Sequence, residues 1–132
     1  KGAHMHALYP VTITTKITEC KEFYCRLFGF EAVFEADWYV QLLHTHSGAE
    51  IGLMQPHLAN QPQDLQAAFG GHGIIYSLEV ADAASEYERI KSCDVAITHP
   101  LTTEAWGQTH FCVRDPSGVT VDVVQQAEES NK

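Results

Sequence analysis

The chain has 132 residues, 45% of them apolar, and Lys+Arg 8 against Asp+Glu 17 give a net charge of −9. That length suits one domain and that apolar fraction supplies a core, which excludes a disordered chain. The acidic balance argues against nucleic acid and anionic membranes as partners, no apolar run approaches the roughly 18 residues that span a bilayer, and no signal peptide is visible.

Lys1–His4, followed by Met5, reads as the remnant of an expression tag, so His4 enters no site argument. Val11–Thr15 is rich in β-branched residues and predicts a strand. Thr18 is a candidate N-cap for a helix with Glu19 and Glu22 in its first turn. Phe23, Leu27 and Phe28 form its apolar stripe, and Gly29 is placed to stop it. Strands follow at Phe30–Glu35, Trp38–Leu43 and Glu50–Gln55. Pro56–Phe69 is polar and broken by Pro56 and Pro62; it reads as a linker with a short helix at Asp64–Phe69.

The same order then repeats. Ile74–Val80 predicts a strand, Asp82 caps a helix over Ala83–Cys93 with Ala83, Tyr87 and Ile90 on one face, and Val95–Thr98 is a short strand. Pro100 marks a loop; Gly107–Arg114 and Val119–Gln125 are the last two strands. Between them, Asp115-Pro116-Ser117-Gly118 has the residues of a type I turn. Two βαβββ halves make an internal repeat: module one 8–56, a linker 57–72, module two 73–126 and a disordered tail 127–132. The fold class is α+β. One half leaves a sheet face bare, so two halves, paired in cis or across a dimer, enclose a cavity between curved mixed sheets with helices on the outer faces.

Asp122 stands out in this layout, since it lies inside a run of valines. Strand parity puts Thr120, Asp122 and Val124 on one face and Val121 and Val123 beneath a helix. His110 and Cys112 share a face in the same way, and Ile75, Ser77 and Glu79 face away from the helix. In the first strand, counting puts Val11 and Ile13 toward the cavity and Thr12 and Thr14 under the helix, an awkward register.

The stretches FYCRLFGFE (Phe23–Glu31), DWYVQL (Asp37–Leu42), LEVAD (Leu78–Asp82), WGQTHF (Trp106–Phe111) and DPSGVTVDVV (Asp115–Val124) span nearly the whole chain. In their order and separation the chain resembles the vicinal oxygen chelate superfamily, which includes glyoxalase I, bleomycin- and fosfomycin-resistance proteins and extradiol dioxygenases. The resemblance implies the two-module fold. It also implies, for members that use a metal, ligands on the first and last strand of each half. Carried over one by one, those positions fall at Tyr9, Leu53, Ile75 and Asp122. One carboxylate cannot hold a divalent ion.

Other residues leave alternatives open. His44 and His46 share a strand face, which suits a metal, but the adjacent Ser47-Gly48 turn favours two solvent-facing histidines. His110 is either a pocket donor near Asp122 or a partly buried histidine bonded to backbone. Trp38, Trp106, Tyr9 and Phe69 are candidates for an aromatic lining or for ordinary core and dimer contacts. Cys20, Cys25, Cys93 and Cys112 show no metal or redox spacing and read as reduced packing residues of a cytoplasmic protein.

The leading expectation is a cofactor-free, metal-free small-molecule-binding protein, similar to the bleomycin-resistance branch whose homodimers sequester drugs. A cationic or aromatic ligand would meet Asp122, His110, Trp106, Trp38, Tyr9 and Glu79. The competing expectation is a metal-dependent glyoxalase, lyase or dioxygenase with a divalent ion on Asp122, His72 and His110. A regulatory module for a metabolite is a third.

Overall fold

A computed structural model describes residue 2 and residues 4–128. The expected tag remnant at Lys1 and Ala3 and the tail from residue 129 onward lie outside the described residues. The chain divides after Gly70 into two compact units. The first holds β1 (Val11–Ile13), α1 (Ile17–Phe28), β2 (Glu31–Glu35), β3 (Tyr39–Leu43) and β4 (Glu50–Met54). The second holds β5 (Ile75–Glu79), α2 (Ala83–Lys91), β6 (Ile97–Thr103), β7 (Thr109–Arg114) and β8 (Thr120–Gln125). The two βαβββ modules of an α+β fold are therefore present.

Each module forms one four-stranded mixed sheet, in the orders β1-β4-β3-β2 and β5-β8-β7-β6. The first and last strands of each module pair in parallel and lie side by side. A helix covers one face of each sheet, α1 over β2–β4 and α2 over β6–β8. Alternation then decides which side chains form the core. In module two, Phe111, Val113, Val121 and Val123 are fully buried under α2, where Ile90 and Ala83 meet them. In module one, Leu42, Leu53 and Val40 pack beneath Cys20, Phe23, Tyr24 and Leu27 of α1. Each large side chain so buried contributes roughly 1.5–3 kcal/mol relative to exposure.

The register of β1 is as parity indicated. Thr12 and Thr14 are buried, while Val11 is 39% exposed. The Thr14 hydroxyl accepts from the Lys16 amide at 3.0 Å, which accounts for one polar group under the helix. Gly29 takes a left-handed φ of 74° at the end of α1, and Asp82 caps α2 by accepting from the Ser85 amide at 3.1 Å.

Several expectations are corrected. Helix α1 starts at Ile17 behind Lys16, which makes no side-chain cap, rather than behind Thr18. Burial of Ile17 in the core outweighs the capping preference of Thr18. The linker holds only a 3₁₀ turn at Gln63–Leu65 instead of a helix over Asp64–Phe69. Ile74, expected to open the strand Ile74–Val80, instead precedes β5 and is exposed. Strand β6 does not stop at Thr98: it continues through Pro100 to Thr103. It is an edge strand, with register shifts at Ile97/His99 and His99/Thr102, and proline is tolerated at an edge or bulge because no ladder bond is lost there. Gly107 lies in the turn before β7, with φ 102°.

Candidate functional site

Two features lie on the sheet faces away from the helices, one in each module. In module two, Cys112 of β7 sits opposite Asp122 of β8, and Asp122 lies beside Ser77 of β5. Asp122 Oδ1 is 2.7 Å from His110 Nδ1, and the Cys112 thiol donates to the same oxygen at 3.4 Å. The other ring nitrogen of His110, Nε2, lies 2.7 Å from Glu104 Oε2 in the β6–β7 turn. His99 of β6 approaches the same Glu104 oxygen at 3.5 Å, with its ring 5.0 Å from that of His110.

The DPSG turn aims this strand. One buried Asp115 oxygen, Oδ1, accepts from the amides of Ser117 at 2.8 Å, Gly118 at 3.0 Å and Val119 at 3.1 Å, and from the Ser117 hydroxyl at 2.7 Å. The Gly118 amide also closes the turn on the Asp115 carbonyl at 3.0 Å. Entry into β8 is thereby held in the register that brings Asp122 to His110.

An imidazole between two carboxylates holds its proton. The hydrogen bond to Glu104, and then that to Asp122, raise the His110 pKa above its ordinary value, against a smaller opposing effect of burial. The same His110 hydrogen bond lowers the Glu104 pKa. Burial first, and then the Asp122 charge, push the Cys112 thiol up to about 12, so it stays protonated as the donor seen here.

These shifts set a pH dependence for metal-free protein. The raised His110 value contributes stability in full below roughly pH 6.5, lost as pH rises through the folded value. The lowered Glu104 value contributes above roughly pH 4.3, lost as pH falls through its folded value. In chelator, the urea midpoint of wild type should therefore exceed that of His110→Gln most between those limits. A gap that does not change with pH would show that the triad carries no titrating stabilisation.

In module one the outward face holds a pocket of about 610 Å³. Its walls are the rings of Tyr9, Phe34, Trp38 and Tyr39, the aliphatic Val11, Ile13, Met54 and Leu65, and the amides of Gln41 and Gln61. No charged side chain lines it. Beneath the Tyr39 ring lies Gly52 of β4, placed between Val11 of β1 and Gln41 of β3. A Cβ at Gly52 would lie 2.2 Å from Tyr39 Oη, so the phenol occupies the space a side chain would need. Tyr39 Oη donates to Gln41 Oε1, and Gln41 Nε2 donates to Glu50 Oε1 at 2.8 Å. Burial, ahead of Tyr9 and Glu50, raises the Tyr39 pKa, which keeps the hydroxyl a donor.

The residues singled out from sequence divide between these features. Tyr9 and Trp38 line the module-one pocket, whereas Phe69 does not; its amide is tied to the Ile13 carbonyl at 2.9 Å. His110 and Asp122 meet in module two. Trp106 is 67% exposed in the β6–β7 turn; its indole donates to Gln108 at 2.8 Å, and Gln108, Gln126 and Glu79 continue the chain of hydrogen bonds. His44 bonds Ser47 at 2.8 Å in a turn and meets the Phe30 ring at a tilt, 5.4 Å between centroids, and it joins no metal-like group among the described residues. Sequence reading missed His99 and Glu104, hidden by the early end assigned to β6, and Phe34, Tyr39, Gln41 and Gly52, which become neighbours only through register.

The family model of the Glyoxalase/Bleomycin resistance protein/Dioxygenase superfamily matches residues 6–123. The chain belongs to this superfamily. No curated protein matches its sequence. Among solved structures, a glyoxalase/bleomycin resistance protein/dioxygenase from Nocardioides is similar at TM-score 0.79 and 14% identity, covering 99% of this chain and 89% of that one. An antibiotic-binding protein from a Streptomyces species is similar at TM-score 0.71 and 17% identity, with 96% and 100% covered. A lactoylglutathione lyase from Agrobacterium tumefaciens is similar at TM-score 0.73 and 19% identity, with 93% and 96% covered. At these identities the likeness is one of fold.

The superfamily's metal positions can now be tested against the side chains present. The position carried to Leu53 is corrected: Leu53 is 1% exposed beneath α1, because it pairs with Thr12 on the helix side of the sheet. The outward neighbours are Gly52 and Met54, which offer no oxygen or nitrogen donor. Tyr9 precedes β1, and Ile75 is 62% exposed on the outward face of β5. Only Asp122 carries a carboxylate, and its Oδ1 is engaged by His110 and Cys112. These four residues do not fit a superfamily chelate. The set Asp122, His72 and His110 is also corrected: the described groups with donor atoms within 4.8 Å of one another are His99–Glu104–His110 and His110–Cys112–Asp122, without His72.

Proposed function

We propose that this member of the superfamily binds a flat, aromatic, uncharged small molecule in the module-one pocket, and that no metal takes part in the binding. The observation that carries this reading is the pocket itself, four aromatic rings around about 610 Å³ with two amides and no charge. That size suits a drug-sized ligand. Desolvating a cation against a lining with no charged side chain is costly, and the carboxylate behind it, Glu50, is already engaged by Gln41, so the aromatic half of the sequence expectation is favoured over the cationic half. Tyr39 Oη keeps acceptor lone pairs for a ligand N–H or O–H. The antibiotic-binding neighbour supports sequestration as the outcome, and the absence of fitting donors at Tyr9, Leu53 and Ile75 disfavours a metal-dependent lyase or dioxygenase.

Homodimer formation and a cytoplasmic location belong to the same proposal. Exposed Ile74 and Ile75, at the start of edge strand β5, support the first, and four cysteine thiols support the second. Among the described residues no helix is long and apolar enough to cross a membrane.

The chain has two tryptophans. In Trp106→Phe protein, Trp38 alone reports on the pocket, and titration with planar polycyclic aromatics in chelator should quench it saturably. Cationic analogues should bind more weakly than neutral ones. Saturable binding of cations only would reverse the ligand class, and an absolute requirement for added metal would refute the metal-independent reading.

A further inference from the structure

The geometry points to a transition-metal site in module two, built by His99, Glu104 and His110, with Asp122 orienting His110 from behind. It lies outside the positions at which metal-using relatives hold their ion, and it does not depend on ligand binding in module one.

Three observations carry it. Ring nitrogens of His99 and His110 and an oxygen of Glu104 converge, one atom of each within 4.8 Å of the others, and both Nε2 atoms approach Glu104 Oε2. Donors on a tetrahedral ion with bonds of about 2.0–2.1 Å sit roughly 3.3 Å apart, so the observed 2.7 Å and 3.5 Å to Glu104 Oε2 bracket the spacing required. Second, His99 Nε2 is shielded from solvent with no hydrogen-bond partner, although other parts of the ring are exposed. A polar atom so placed calls for a partner, and the approach to Glu104 has an ion-pair distance without hydrogen-bond alignment. Third, His110 Nδ1 is bonded to Asp122 at 2.7 Å. A ligating imidazole characteristically offers its second nitrogen to a carboxylate, which fixes the ring and turns the opposite lone pair to the metal.

Two imidazoles and one carboxylate suit zinc, cobalt, nickel, manganese or ferrous iron, not calcium or magnesium. An ion would take the place of the proton now shared between His110 Nε2 and Glu104 Oε2 and release it. With three protein ligands it keeps at least one position for water or an oxygen donor. The second convergent group, His110–Cys112–Asp122, is the weaker candidate. It would need Nδ1 of His110, which Asp122 already engages, and a thiolate where the buried Cys112 holds its proton.

Zinc titration by calorimetry into chelator-treated full-length protein tests this. Wild type should bind one ion at this site with micromolar or tighter affinity. His99→Ala and Glu104→Gln should each weaken it at least about tenfold, and Asp122→Asn about 10–100-fold with the stoichiometry kept. Cys112→Ser should change nothing. The absence of stoichiometric zinc, or equal affinity in wild type, His99→Ala and Glu104→Gln, would overturn the site. A measurement on wild type alone guards against misfolded variants. Cobalt(II) should give the visible bands of a nitrogen–oxygen site. A thiolate charge-transfer band, or no bands at all, would overturn the assignment.

Discussion

Gly52→Ala is expected to destabilise the protein by about 1–3 kcal/mol and to weaken aromatic ligand binding at least about tenfold. A Gly→Ala change inside a strand would ordinarily help, since glycine weakens strands. Here the added methyl meets Tyr39 Oη at 2.2 Å, Tyr39 Cζ at 2.9 Å and Val11 Cγ2 at 3.0 Å. The backbone cannot retreat, because Gly52 is paired on both sides, with Val11 and Gln41, and its amide is bonded to the Pro10 carbonyl at 2.9 Å. The phenol must therefore leave, breaking its bond to Gln41 and removing one wall of the pocket. Adding Tyr39→Leu to Gly52→Ala should recover part of the stability but none of the affinity. Urea denaturation and Trp38 titration read the two effects separately. A Gly52→Ala protein as stable and as tight-binding as wild type would show that the Gly52–Tyr39 contact does not shape the pocket.

Asp115→Ala should cost about 2–4 kcal/mol, a large share of a small domain's stability. The side chain is 3% exposed and one of its oxygens gathers four donors. Truncation leaves the Val119 amide, which is buried, and the neighbouring turn amides without that acceptor. Asp115→Asn keeps an oxygen in place and should lose only about 1 kcal/mol, the difference between a charged and a neutral acceptor. The local consequence is more specific than the stability loss. If the turn sets the start of β8, the His110–Asp122 bond loosens in Asp115→Ala even where the protein remains folded. The His110 ring signals in NMR should then move toward those of Asp122→Asn. Unchanged ring signals in folded Asp115→Ala protein would mean that sheet pairing alone sets the register.

Much of this layout was legible in the sequence, for a physical reason that also marks its limit. A half-buried strand alternates, so counting alone put His110 with Cys112 and Asp122 with Thr120 off the valine face, and the same count put Thr12 and Thr14 under α1; the pairing of β7 with β8 then joins the two sets. Counting fails where the pairing is irregular. Strand β6 crosses Pro100 with two register shifts, which hid His99 and Glu104. It fails too where the origin of the count is off by one, which turned Leu53 outward when it points into the core. The pocket was half visible, through Tyr9 and Trp38. Gly52 and Tyr39 gave no sign, because a missing side chain acquires meaning only when the neighbouring strand supplies the group that fills its place.

A flat, uncharged aromatic ligand is expected to occupy the module-one pocket without a metal. Amide chemical-shift mapping in chelator, with a ligand selected by the Trp38 titration, tests it most directly. Saturable shifts should concentrate at Val11, Phe34, Tyr39, Gln41 and Gly52, with the amides of His110, Cys112 and Asp122 unmoved. Shifts centred on the module-two triad, or shifts that appear only when a divalent metal is added, would contradict it.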